Sequence, residues 1–178
     1  MTWTRTISGK YIDLLEPTPE MIDFADIASA LAKLCRFNGH IPKFYSVLQH
    51  SLEVASVFSP DDLEYKYALL HDAHEAFTGD IVTPVKVILG QPLQELQDRL
   101  DRAIFEAAGL VYPMPEKVAT RVYMADQFTL RCELWDIFGI EPEIYEIPHV
   151  SEFARDTPIT PTLDTGKLTV DWLEALGF

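Results

Sequence analysis

A chain of 178 residues with 48% hydrophobic and 24% charged residues has the balance of a folded domain with a sizeable core, which excludes a disordered or low-complexity protein. Acidic residues outnumber basic ones 28 to 14, giving a net charge of −14, and a surface of that sign repels a nucleic-acid backbone. A small anionic ligand is compatible with it only where a metal or a few well-placed cations reverse the field locally.

Residues 1–20 read as an irregular or short-stranded opening: Ile7-Ser8-Gly9-Lys10-Tyr11 carries a turn signal, and Pro17 and Pro19 bar a helix. From Asp23 to about Cys35 the spacing of Ile27, Ala28, Leu31 and Leu34 predicts an amphipathic helix, which Asn38-Gly39 breaks. Ser46 with Gln49 forms a capping-box pattern ahead of Leu48, Leu52 and Ala55. Asp61 or Asp62 can cap a third helix running to about Phe77, stopped by Thr78-Gly79-Asp80. Pro92 opens a helix over 92–108 that Gly109 ends, and Pro115 opens a long one to about Phe138, closed by Gly139. Beyond Ile140 the chain is Pro-rich and weakly periodic until a last short helix over 168–176. The expectation is an all-α fold, one domain over 1–178. It is a bundle of five to six helices with an irregular N-terminal opening and a C-terminal tail.

Cys35 and Cys132 make no disulfide framework, no apolar run follows Met1, and no stretch reaches bilayer length. A cytoplasmic protein without a membrane span is therefore expected.

Four ionisable residues sit where an apolar core would not place them. His50 lies one turn into the second helix, His71-Asp72 interrupts the apolar stretch Tyr67–Ala73, and Asp126 is in the middle of a long helix. Burying two unpaired aspartates costs several kcal/mol each, roughly, so a cation is the natural compensation. Any one of these residues alone is more often a satisfied polar group than a ligand. The order His, His-Asp, Asp on successive helices is more specific, because two imidazoles and two carboxylates can enclose one divalent ion and leave positions open.

Gln49-His50-Ser51, Leu70-His71-Asp72-Ala73-His74-Glu75, Gly79-Asp80-Ile81-Val82-Thr83-Pro84-Val85-Lys86 and Ala125-Asp126 resemble the HD-domain phosphohydrolases, closest to their bacterial 5′-deoxynucleotidase branch and its phage relatives. The resemblance covers roughly residues 24–138, and HDxxE…GDxxTPxK is its most specific part. It implies that His50, His71, Asp72 and Asp126 ligate one divalent metal, with manganese, cobalt, zinc, nickel, iron and magnesium all compatible with the mixed donors. It implies that Glu75, one turn beyond Asp72, orients or deprotonates a water, and that Asp80 protonates the leaving sugar oxygen. Arg36 would contact substrate and Lys86 would neutralise phosphate charge. His74 is either a further phosphate donor, the reading favoured here, or a partly exposed helix residue. Phe37, where the deoxynucleotidase branch carries a Trp, either stacks on a base or closes the core. His40 and His149 have no motif support.

The implied activity is a nucleotide phosphohydrolase, in the first instance a deoxynucleoside 5′-monophosphatase. The same site could instead release triphosphate from a deoxynucleoside triphosphate, or the chain could be a catalytically idle nucleotide-binding protein. The expected partner is a small nucleotide, not a nucleic-acid polymer or a membrane, and the resemblance implies a homodimer.

Overall fold

The computed structural model describes residues 2–142 and 152–178; His149 lies outside them. Helices dominate, as the apolar spacing predicts, but the opening is an ordered antiparallel hairpin. Strand β1 (Trp3–Arg5) pairs with β2 (Tyr11–Asp13), with Trp3 opposite Asp13 and Arg5 opposite Tyr11. Ile12 is its fully buried contribution to the core.

Helix α1 (Phe24–Leu31) begins where the Asp23 carboxylate accepts hydrogen bonds from the amides of Ala25 and Asp26. The Asp26 carboxylate in turn accepts from the amide and hydroxyl of Ser8 at 3.1 and 2.6 Å, which docks the hairpin on the helix. The helix stops short of the expected Cys35 because Cys35 bridges to Ser46 in extended backbone. Helix α2 (Val47–Ala55) is capped by Ser46, whose hydroxyl accepts from the Gln49 amide at 3.1 Å. The reciprocal half of the capping box does not form. The Gln49 carboxamide turns instead to the tail, donating to the Thr160 carbonyl at 2.9 Å and accepting from the Thr162 amide at 3.1 Å.

The third predicted helix is split. Helix α3 (Leu63–Leu70) ends at His71, and a short α4 (Glu75–Thr78) resumes after a tight turn. Across that turn the Ala73 amide donates to Leu70 and the Glu75 amide to Asp72, three residues back rather than four. The freed carbonyls find other donors: Ala68 accepts from His71 Nδ1 at 2.7 Å and Leu69 from the Trp172 indole at 3.0 Å. Helix α5 (Thr83–Leu89), with Pro84 in its first turn, lies between Asp80 and Pro92, where the sequence pattern predicts no element. Helices α6 (Gln91–Ala107) and α7 (Glu116–Glu133) follow the predicted spans closely. A wider π-type turn, Leu134–Phe138, prolongs α7 to Gly139, whose φ of 66° suits glycine. Helix α8 (Thr165–Leu176) is longer than the predicted 168–176 because Asp164 caps it, accepting from the Lys167 amide at 2.9 Å.

The core joins Ile27, Leu48, Leu69, Ile104 and Ala125 to Ile12 at one end of the chain and Trp172 at the other. It therefore reaches beyond residues 24–138 on both sides. Among the described residues no helix is long and apolar enough to cross a membrane.

Trp172 is fully buried and holds the end of α3 by one hydrogen bond. Trp172→Ala is expected to lower unfolding free energy by about 3–5 kcal/mol. Trp172→Phe, which mainly removes the indole donor, should cost about 1–3 kcal/mol. Urea denaturation of both variants checks the order.

Candidate metal centre and its cavity

Three elements deliver the candidate ligands to one point. His50 is fully buried on the inner face of α2, His71 and Asp72 occupy the turn after α3, and Asp126 projects from α7. Ligand atoms of His50, His71 and Asp72 all lie within 4.8 Å of one another. Asp126 Oδ1 is 3.1 Å from His50 Nε2 and 4.0 Å from His71 Nε2, so it closes the group from the fourth side. Asp72 Oδ2 is 3.7 Å from His50 Nε2 and 3.2 Å from His71 Nε2.

The hydrogen bonds behind the rings decide what this group can hold. His50 Nδ1 lies 2.6 Å from Glu133 Oε1, and His71 Nδ1 lies 2.7 Å from the Ala68 carbonyl. Both partners are acceptors, so both Nδ1 atoms carry protons. In neutral rings the two Nε2 atoms, 3.3 Å apart, then face each other with lone pairs. That contact is repulsive unless a cation lies between or beside them. The charges agree: among the described residues Arg36 is the arginine or lysine in salt-bridge range of Asp72, Asp126 and Glu133, with Nη2 3.1 Å from Glu133 and Nη1 3.7 Å from Asp72. Three carboxylates and one guanidinium leave two negative charges, which one divalent cation neutralises. The donor set therefore fits a divalent metal, with nitrogen and oxygen ligands typical of several such ions.

Without a metal, protons take over part of this role. Burial alone would hold the imidazoles down. For His71 the adjacent Asp72 carboxylate outweighs it and raises the pKa to about 9. For His50, burial and Arg36 pull downward, but Glu133 and Asp126 win and the net shift is upward. Burial would likewise raise the carboxylates, yet His71 holds Asp72 well below its usual range, His50 holds Asp126 down, and Arg36 holds Glu133 down.

Asp72 and Asp126 open on a cavity of about 570 Å³. Glu75 lines it, 2% exposed, with Oε1 held by Lys86 Nζ at 3.1 Å and Oε2 buried without a hydrogen-bond partner. Burial foremost, then the charge of Asp72, pushes Glu75 up to about 7 against the opposing pull of Lys86. Asp80, also in the wall, has a buried Oδ2 without a partner. Arg36 and Phe37 line the same cavity, the guanidinium carbon 5.2 Å from the centre of the Phe37 ring and the Phe138 ring nearly perpendicular to it with centres 5.1 Å apart. Phe37 and Asn38 have φ of 57° and 52°, a left-handed pair that bulky side chains seldom adopt and that packing must hold in place. His40 reaches the rim of the cavity despite its lack of motif support.

His74 stands apart. It is buried toward α6, with Nδ1 on Asp101 at 2.9 Å and Nε2 on the Gln97 amide at 3.1 Å, which leaves neither ring nitrogen for a phosphate. Glu133 is the residue that sequence reasoning passed over. The buried positions Val122, Ala125, Thr129 and Glu133 recur at helical spacing on α7, and a carboxylate at such a position was the same signal that singled out Asp126. A cavity of similar size, about 590 Å³, lies beside Trp135 and Arg155, and none of the candidate residues line it.

No protein-family model matches the chain. It is similar to an uncharacterized protein of Rhodobacter capsulatus, 39% identical over 144 residues that cover 77% of this chain and 74% of the relative. It is also similar to the uncharacterized protein YfdR of Escherichia coli K12, 35% identical over 166 residues covering 90% and 88% of the two.

A metal held by this group would compete with protons for His71. Its raised folded pKa stabilises the metal-free protein fully below about 6.5, and that contribution is lost as pH rises through about 9. The thermal midpoint of the metal-free protein should fall across that window, and saturating manganese should remove the fall. At pH 7 binding should release about one proton from His71 and a further contribution from His50, read by calorimetry in buffers of different ionisation enthalpy. A flat midpoint with no proton release would contradict this linkage.

Proposed function

We propose, for a chain that belongs to the protein family of YfdR from Escherichia coli and its Rhodobacter capsulatus counterpart, that it is a metal-dependent phosphohydrolase of the HD-domain type, and that it removes the 5′-phosphate of deoxynucleoside monophosphates. The observation that carries this reading is the pair of opposed Nε2 atoms, 3.3 Å apart, at the edge of a cavity that also holds an unpaired buried carboxylate oxygen.

His50, His71, Asp72 and Asp126 hold the ion. When bound, a divalent metal lowers the pKa of a water from about 15.7 toward 7 and offsets the phosphoryl charge. Glu75, raised to about 7, accepts the proton of the attacking water on Oε2 while Lys86 fixes Oε1. The water oxygen bonds to phosphorus, the bond from phosphorus to O5′ breaks, and the acid form of Asp80 donates its proton to O5′; the proton taken by Glu75 leaves to solvent and Asp80 regains one from solvent, which resets both carboxyls. The products are nucleoside and orthophosphate. Phe37 and Phe138 supply apolar surface to the nucleoside.

Charge favours a monophosphate over a triphosphate. The lysine and arginine that line the cavity are already committed, Lys86 to Glu75 and Arg36 to Glu133 and Asp72. Four lining carboxylates oppose them, Asp72, Glu75, Asp80 and Asp126. A triphosphate would bring further negative charge with no uncommitted lysine or arginine among the described residues of the cavity wall to meet it.

Incubation of the protein with nucleoside mono-, di- and triphosphates, ribo and deoxy, and with manganese, cobalt or zinc, tests the reading. Orthophosphate from deoxynucleoside monophosphates is expected; intact triphosphate from a deoxynucleoside triphosphate would overturn the substrate, and no turnover with any metal would overturn the activity. Asp72→Ala and His71→Ala should lose metal and turnover together. Glu75→Gln should keep the metal and lower kcat by about 10²- to 10⁴-fold.

A further inference from the structure

Glu133 is fully buried on α7, and each of its two oxygens has a different partner. Oε1 accepts the Nδ1 proton of His50 at 2.6 Å, and Oε2 accepts from Arg36 Nη2 at 3.1 Å. Arg36 then carries its other arm, Nη1, to within 3.7 Å of Asp72 Oδ2. We propose that Glu133 is a positioning residue: it fixes the ring orientation and the proton of His50 directly, and holds the carboxylate of Asp72 through Arg36.

The inference rests on the metal-site reading above and adds to it one control point behind two ligands. An imidazole with a carboxylate at Nδ1 cannot flip without losing that bond, so its Nε2 stays aimed at the ion and gains basicity. The planar guanidinium is rigid enough to span two carboxylates, which the single ammonium of a lysine does not reproduce. Each member of the chain lies on a different segment: Asp72 in the turn after α3, Arg36 in the connection after α1, Glu133 on α7 and His50 on α2. The arrangement also reassigns Arg36. With both terminal nitrogens facing carboxylates, it acts from behind the ligands and is not a free clamp for phosphate.

Cobalt and manganese binding to the full chain, by calorimetry and by the visible spectrum of the cobalt form, tests the proposal. Glu133→Gln keeps the shape and removes the charge, and should weaken metal binding by about 10- to 100-fold with an altered cobalt spectrum. Arg36→Lys should weaken metal binding more than it raises KM. Thermal midpoints measured with chelator separate these effects from a loss of fold, which a merely structural role would move instead. Equal metal affinity in wild type and folded Glu133→Gln overturns the positioning role alone, whereas no saturable binding by wild type overturns the metal site and the role with it. Nitrogen-15 spectra of histidine in the zinc-loaded wild type give a readout that needs no variant. Nδ1 protonated and Nε2 metal-bound at His50 supports the proposal; metal on Nδ1 overturns it.

Discussion

Two imidazole nitrogens lie 3.3 Å apart in the interior, each with its opposite nitrogen already donating to an acceptor. Neutral rings cannot keep that contact, and much of the surrounding structure follows from what relieves it. Asp72 and Asp126 stand on either side, Glu133 and Arg36 stand behind, and burial makes every uncompensated charge costly. The break between α3 and α4 belongs to the same logic. Tightening the turn at 71–74 frees the Ala68 carbonyl for the His71 ring and the Leu69 carbonyl for Trp172. In a continuous helix the same two carbonyls would also have to accept the backbone amides of Asp72 and Ala73.

The electrostatics divide the site into a fixed part and a titrating part. The carboxylates of Asp72, Asp126 and Glu133 are held ionised by the cations against them, which suits the first two to the ligand role proposed for them. Glu75, one turn away, is raised to about 7 because burial and Asp72 outweigh its pairing with Lys86. Carboxylates of one cluster thus have opposite tendencies, the condition under which one group binds a cation while its neighbour exchanges a proton. In a chain of net charge −14, the proposed anionic substrate would depend on this local balance and not on the overall field.

The sequence disclosed the residues of the site better than the elements that carry them. His50, His71, Asp72 and Asp126 were readable because each breaks an apolar pattern in which a charge demands an explanation. The extents of α6 and α7 were readable from their starts at Pro92 and Pro115 and their glycine ends. The split of α3 was not, since Leu70–Phe77 has good helical spacing and the split depends on the Trp172 donor about a hundred residues later. Gln49 misled for a related reason: local pattern favours a capping box, but the Thr160–Thr162 backbone offers its carboxamide two buried partners. His74 reads as a site residue only while α6 is unseen, and Asp101 and Gln97 claim it once that helix is in place. Glu133 was legible in principle, as a carboxylate in the buried phase of α7, but lay seven residues beyond the last matched motif.

Anomalous diffraction at the manganese edge, from crystals grown with the ion, tests the central claim most directly. The account predicts one strong peak bounded by His50 Nε2, His71 Nε2 and the carboxylates of Asp72 and Asp126, with Glu133 still on His50 Nδ1. Two opposed imidazoles bridged by a proton alone, with no peak between the four side chains at saturating manganese, would contradict it.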